Sequence, residues 1–234
     1  MMTQFLHLDH LRYEVHILGP VLFFIPLALV AVFVGLTGMF LLGHVVHILI
    51  ASLLIAALEA CLPLAAGIIL STVAVQDASL ELLLTLPVSY RRIVFLRFAL
   101  ILGWTLLVEW GASLALSAFL PWVPVKPLAT FQLTWLAPSL WLSGACILLA
   151  LLLRNQASSG AILGCVWIMQ LLFHGFFAQN GWAQPWFLFA TLYTPDASFW
   201  LTNRLELIAT ALVLFAAVWW FLRDPERRFF GEDI

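Results

Sequence analysis

Charge is scarce in this sequence. Only 9% of its 234 residues are Asp, Glu, Lys or Arg, against about a quarter in ordinary soluble domains. That excludes a conventional fold with a solvated exterior. A formal net charge of −2 also excludes a general basic surface for nucleic acid. Cysteine is scarce too. Cys61, Cys146 and Cys165 each fall in an apolar run, and no two have metal-ligand spacing. They read as small buried hydrophobes and say nothing of redox compartment. Motifs for chemistry are missing as well. There is no Gly-x-x-x-x-Gly-Lys-Ser/Thr loop to cradle nucleotide phosphates, no His-Glu-x-x-His zinc motif and no Gly-x-Ser-x-Gly elbow. Ser143-Gly144 and Ser158-Ser159-Gly160 come without an acid–base partner nearby in sequence. No catalytic residue, metal or cofactor is expected in this chain. The amino terminus has no basic region and no small-residue cleavage site follows the first apolar run, so that run reads as an uncleaved span.

What the sequence has is apolar length. It is 64% hydrophobic, in runs that reach the roughly 20 residues a bilayer-crossing helix needs. The fold class expected is all-α, one polytopic membrane domain over 1–234. Six spans are expected at about 18–40, 48–75, 92–120, 133–153, 159–178 and 205–222. The second and third are long enough to tilt or project. Ahead of them Leu8, Leu11, Val15 and Leu18 recur at helical spacing, with His7, His10 and Glu14 on the other side. This predicts an interfacial helix over 1–17, although alternation from Leu11 to Ile17 leaves a strand open by pattern alone. Gly43-His44-Val45-Val46-His47 predicts a tight turn between the first two spans. Pro121, Trp122, Pro124 and Pro127 predict an ordered interfacial loop. Residues 179–204 carry Trp182, Trp186, Tyr193 and Trp200, expected as headgroup-level anchors on short helices that lie on the membrane or dip into it.

Sidedness follows from the arginines. With six spans, Arg12, Arg91, Arg92, Arg97, Arg154, Arg223, Arg227 and Arg228 fall on one side, and only Lys126 and Arg204 on the other. Positive charge marks the cytoplasmic side, so both termini and the 76–97 loop are expected in the cytoplasm. The polar turn over 154–160 and a solvated tail over 223–234, with Phe229 and Phe230 at the interface, are expected on that side too.

The most informative stretch runs from Gln76 to Arg97. It is flanked by apolar runs, yet carries Asp77, Glu81, Arg91, Arg92 and Arg97. Asp77 or Ser79 can cap a helix, and Glu81 then sits in its first turn, where the dipole favours negative charge. Leu80, Leu83 and Leu84 supply an apolar surface, and Glu81 and Thr85 lie one turn apart. Pro87 ends the helix by lacking an N–H and crowding the previous turn, and Ser89 can cap the helix that follows. The pattern predicts a short amphipathic helix over 77–87 lying at a membrane face. This grammar, with acid and small residues, Leu-Glu-Leu-Leu-Leu, then Leu-Pro-Val-Ser and a basic pair, resembles the cytoplasmic loop of type-2 ABC transporter permeases. Ala78-Ser79 stands where that family often has Gly-Thr, and Arg97 where it has lysine.

The resemblance implies a coupling helix that docks onto a separate ATPase through Asp77, Ser79, Leu80, Glu81, Leu83, Leu84, Thr85, Pro87, Arg91 and Arg92. It implies as partners two ABC ATPase subunits, which hold ATP and Mg, and a second permease copy or a relative in the lipid bilayer. It implies a transport subunit and not an enzyme, most often an exporter, in a bacterial plasma membrane. The expected cargo is hydrophobic or amphipathic.

Glu59 and Glu109 need a separate account, because a charge near mid-membrane costs roughly 2.5–3.5 kcal/mol on insertion scales. Either they line a substrate path or hold an interface between permease halves, or they are protonated and bonded to neighbouring helices. An alternative function uses both in a proton-coupled carrier or channel. Glu206 is expected to pair with Arg204 at the interface, and His174 to be a hydrogen-bonded histidine near the outer face.

Overall fold

The computed structural model of the chain describes residues 19–75, 90–120, 123 and 126–223. Among these, all regular structure is helical. That outcome is imposed by the solvent. In hydrocarbon an unbonded N–H or C=O costs several kcal/mol, and a helix satisfies its own backbone. Helix α1 is Pro20–Leu42 and α2 is His47–Ala56. A π-turn, Ala57–Cys61, joins α2 without interruption to α3, Leu62–Val75. Next come α4, Tyr90–Phe119, α5, Leu128–Leu153, and α6, Gln156–Leu172. Two short helices, α7 at His174–Gln179 and α8 at Ala190–Tyr193, flank a 3-10 turn at Gln184–Trp186 and lead into α9, Trp200–Phe221.

Five helical segments are long and apolar enough to cross a membrane: Leu22–Leu42, His47–Val73, Ile93–Phe119, Leu128–Leu153 and Trp200–Phe221. Among the described residues the chain is all-helical, and these five helices have the length and composition of an integral membrane protein. The span expected at 159–178 is where structure and expectation part. Helix α6 has 17 residues and ends at Phe173, and α7 restarts beyond it. The last span also starts earlier than expected, at Trp200. The turn between α1 and α2 is as tight as its sequence predicts, with His44 taking a left-handed φ of 53°. The interfacial helix expected over 1–17 and the tail after Arg223 lie outside the described residues.

One apolar cluster gathers an end of the bundle. Leu22 and Ile25 of α1 pack with Ile69, Leu70 and Val73 of α3, Ile93, Val94, Phe98 and Ile101 of α4, Ile147 and Ala150 of α5, and Val218 of α9. The chain therefore leaves α3 and re-enters α4 at the end where α1 begins and where α5 and α9 finish. Toward the other end a second cluster joins Leu142 and Cys146 to Phe187, Leu188, Phe189, Trp200 and Leu207. Helices α3 and α5 touch closely at Gly67, where a Cβ would stand 3.0 Å from the Leu142 carbonyl oxygen. Exposed apolar side chains such as Phe24, Val32 and Met39 on α1, and Leu205, Leu212 and Val213 on α9, suit a hydrocarbon surround.

Two of the expected burials are corrected by this packing. Cys146 is buried, with its thiol 3.4 Å from the Ser159 hydroxyl, but Cys61 is half-buried and Cys165 is exposed. Trp200 is no headgroup anchor. It is only 4% exposed, because it is the first residue of α9 and turns inward against the connecting segment. Trp182, Trp186 and Tyr193 are exposed as anchors would be.

Candidate functional site

The segment between α7 and α9 enters the helix bundle. Ala183 and Phe187 to Ala190 have no exposed surface, although much of this chain is not helical. Its backbone groups must therefore find side-chain partners. Gln170 of α6 supplies two bonds: its Nε2 donates to the Trp186 carbonyl at 3.0 Å and its Oε1 accepts from Leu188 N–H at 2.8 Å. Asn203 of α9 donates from Nδ2 to the carbonyls of Gln184, 2.6 Å, and Phe187, 3.0 Å. Arg204 donates from Nη1 to the Leu188 carbonyl, 3.0 Å.

Glu59 completes the arrangement. Its Oε1 accepts from Thr191 N–H at 2.8 Å and its Oε2 from Leu192 N–H at 2.7 Å, the second and third amides of α8. Its Oε1 also accepts from Arg204 Nη2, forming an ion pair in which neither side chain is exposed. The Thr191 hydroxyl bridges the surroundings, accepting from Trp200 Nε1 at 2.9 Å and from Arg204 Nη2 at 3.3 Å. The Trp200 ring lies 5.7 Å from the Arg204 guanidinium carbon. Charge is neutralised inside, and the connecting segment is pinned to the π-turn on one side and to α9 on the other.

The π-turn has a local cause in the sequence. Pro63 has no N–H and its ring crowds the carbonyl four residues back, that of Glu59. The chain there widens, with Leu62 N–H bonding to the Ala57 carbonyl five residues earlier. Such single wide turns are frequent at functional positions. Trp167 of α6 donates its indole N–H to the Ala60 carbonyl at 3.0 Å, which braces the turn from outside.

Glu109 lies apart from this network. It sits on α4, 1% exposed, and its Oε2 accepts from the Ser139 hydroxyl of α5 at 2.8 Å. Its Oε1 has no hydrogen-bond partner, nor has the buried Ser143 hydroxyl of α5. One turn further along α4, Ser113 donates to Gln132 Oε1 at 2.9 Å, and that oxygen also accepts from Trp135 Nε1 at 3.0 Å. A polar stripe thus runs between α4 and α5, and Glu109 is the one ionisable group in it with an unpartnered oxygen.

The structure does not unite Glu59 and Glu109 in one site; each has its own partner. It also corrects the expected pairing of Arg204 with Glu206. Residues two apart on a helix point in different directions, and Arg204 turns inward to Glu59. Arg204 is therefore not part of a loop, and of the two basic residues counted on the far side only Lys126 lies in one. Lys126 stands 3.7 Å from Asp196 and 5.5 Å from the Trp200 ring centroid. His174 donates from Nδ1 to the Leu171 carbonyl, 3.1 Å, and stacks on Tyr193 with centroids 4.0 Å apart. Asp77, Ser79, Leu80, Glu81, Leu83, Leu84, Thr85 and Pro87 lie outside the described residues. Arg91 and Arg92 fall in the first turn of α4, with side chains outside the description.

The Glu59–Arg204 pair and the amides it holds form a polar latch that is hidden in the sequence, because its partners are remote from one another and hydropathy does not pair residues at a distance. A signal was present: Asn203-Arg204 sits inside an apolar helical run and needs a counter-charge. No group of three or more metal-ligating side chains occurs among the described residues. No protein-family model, curated protein or solved structure matches this chain.

Proposed function

We propose that the chain is the membrane-spanning permease subunit of an ATP-driven ABC transporter of type-2 architecture, exporting a hydrophobic or amphipathic substrate. Residues 76–97 form its coupling element. They take up motion from a separate ATPase, two copies of which work with two permease chains in a bacterial inner membrane with both chain termini in the cytoplasm. A sixth crossing through α6, and a coupling helix over 77–87, belong to this reading. The observation that carries it is the stretch Asp77-Ala-Ser-Leu-Glu-Leu-Leu-Leu-Thr-Leu-Pro87. It joins α3 to α4 at the end of the bundle where Ile69, Val73, Ile93 and Val94 meet. Arg154, between α5 and α6, and Arg223, after α9, follow helices that finish at that same end. Positive charge collects there, as on a cytoplasmic face.

Coexpression with a Walker-motif ATPase encoded beside it tests the reading. Wild-type chain is expected to copurify with that ATPase, and Glu81→Arg with Leu84→Asp to abolish copurification while leaving membrane insertion intact. Copurification undiminished in the double variant would overturn the coupling role.

A second reading, a proton-coupled carrier, is favoured by the unpartnered Oε1 of Glu109. It rests on Glu109 alone, since Glu59 is held by Arg204. Uptake by the purified chain in vesicles, driven by a pH gradient without ATP, is its test.

A further inference from the structure

A cavity of about 370 Å³ lies between α1, the π-turn region and α4, within the range of ligand sites. Its chemistry is uniform. Fifteen residues line it, from Val30 and Val34 to Leu58, Ala112 and Leu120; none is charged, and the single hydroxyl is that of Thr37. That hydroxyl is already committed to the Phe33 carbonyl at 2.8 Å. Water entering would find almost no hydrogen bonds, and apolar cavities of this kind take hydrocarbon instead.

The shape selects among hydrocarbons. The lining of α1 runs from Val30 to Leu41, about 16 Å at the rise of an α-helix. That is roughly half of a 30 Å hydrocarbon core, the depth of one leaflet. The groove reaches the helix ends, because Leu41 is one residue from the last residue of α1 and Leu120 follows the last of α4. Beyond that end lies the exposed turn at Gly43 and His44, at the level where a headgroup would sit. Its side is open to the lipid-facing surface through Val34, 61% exposed, and Phe119, 82% exposed. A transmembrane helix of a second copy would run the full thickness of the core, and a groove one leaflet deep does not match it.

We infer that the α1–α4 groove is a binding site for one acyl chain of a membrane phospholipid, whose headgroup rests near the Gly43–His47 turn. Between apolar helices and lipid tails the drive is packing, not escape from water, and the groove offers a tail walls on three sides. The site is independent of any ATPase. Ala57 and Leu58 form its wall in the π-turn, and the next residue is Glu59, so the seated tail adjoins the element that holds the latch.

The experiment uses the full chain in phosphatidylethanolamine–phosphatidylglycerol vesicles containing a phosphatidylcholine with a diazirine midway along one tail. After irradiation, adducts on Val34, Leu58, Ala112 and Leu116 are expected to exceed those on lipid-facing Leu212 and Val213 of α9 severalfold. Gly38→Leu fills the groove without a clash at its Cβ, which would meet nothing within 4 Å. It is expected to bring groove adducts down to the α9 level and leave α9 adducts unchanged. Val34→Trp at the mouth is the second blocking variant and should do the same. Groove labelling no stronger than α9 labelling, or unmoved by both variants, overturns the inference. So does a Val34→Cys chain that forms disulfide-linked dimers from which the lipid probe is excluded, because the groove then belongs to a second copy.

Discussion

Glu59 and Arg204 are 145 residues apart in sequence and bonded in space, and neither side chain has any exposure. The pair links the π-turn to α9 and holds the non-helical segment between them, with Thr191 and Leu192 amides on the carboxylate and the Leu188 carbonyl on the guanidinium. A buried pair of this kind contributes little net stability but much specificity of arrangement, since every alternative leaves a charge without a partner.

Removing one partner is therefore the severe change. Arg204→Met is expected to lower stability by about 3–5 kcal/mol, because Glu59 stays buried without its cation. Adding Glu59→Gln should restore part of that loss: the charge goes, while an amide oxygen still accepts from α8. Thermal unfolding in detergent, followed by tryptophan fluorescence, measures both. An Arg204→Met protein that melts with wild type would mean the latch holds nothing.

Glu109 should behave in the opposite way. Its carboxyl is buried with one bond made and one oxygen unpartnered. Glu109→Leu is expected to be neutral or stabilising, because the cost of burying an incompletely bonded carboxyl disappears with it. Ser139→Ala, which strips the carboxyl of its Ser139 bond, should cost about 1–3 kcal/mol. The same melting assay decides it, and a Glu109→Leu loss as large as that of Arg204→Met would count against this account.

Glycine substitutions separate close packing from lipid exposure. Gly67→Val forces atoms against the Leu142 carbonyl, where a Cβ alone would stand 3.0 Å away, and is expected to cost about 1–3 kcal/mol. Gly35→Ala on α1 meets nothing within 4 Å and should gain up to about 1 kcal/mol from helix propensity. Opposite shifts in melting temperature are the expected result.

Trp167→Phe tests the brace on the π-turn. It removes the N–H that bonds the Ala60 carbonyl and keeps most of the ring. A loss of about 0.5–1.5 kcal/mol is expected. Hydrogen exchange at the amides of 61–64 should quicken more than at those of 70–73.

The sequence announced the helices but not their meeting points. Apolar length located the cores of five spans, and Gly43 to His47 and Pro127 marked breaks that the chain does take. Two local conflicts carried more information than the apolar runs themselves. Pro63 after Glu59 is where the helix widens, and Arg204 within an apolar run is where a distant acid is recruited. Neither consequence is legible from periodicity, which reports faces of one helix and nothing about which faces meet. The burial of residues 187–190 is hidden for the same reason: Phe187-Leu-Phe-Ala190 looks like a surface aromatic stretch until Gln170 and Asn203 are seen to satisfy its backbone. The two acids read alike in sequence because both are single charges in apolar runs, and only their partners tell them apart.

The break at Phe173 has a consequence for the surrounding bilayer. Seventeen residues make α6 about 25 Å long, whereas the 26 residues of α5 beside it make nearly 40 Å. On the proposed reading, in which α6 makes the sixth crossing, lipids along α6 must shorten or lean to keep their tails covered. Membranes built from short tails meet that demand at the smallest elastic cost, so bilayer thickness itself becomes a determinant of where this chain settles.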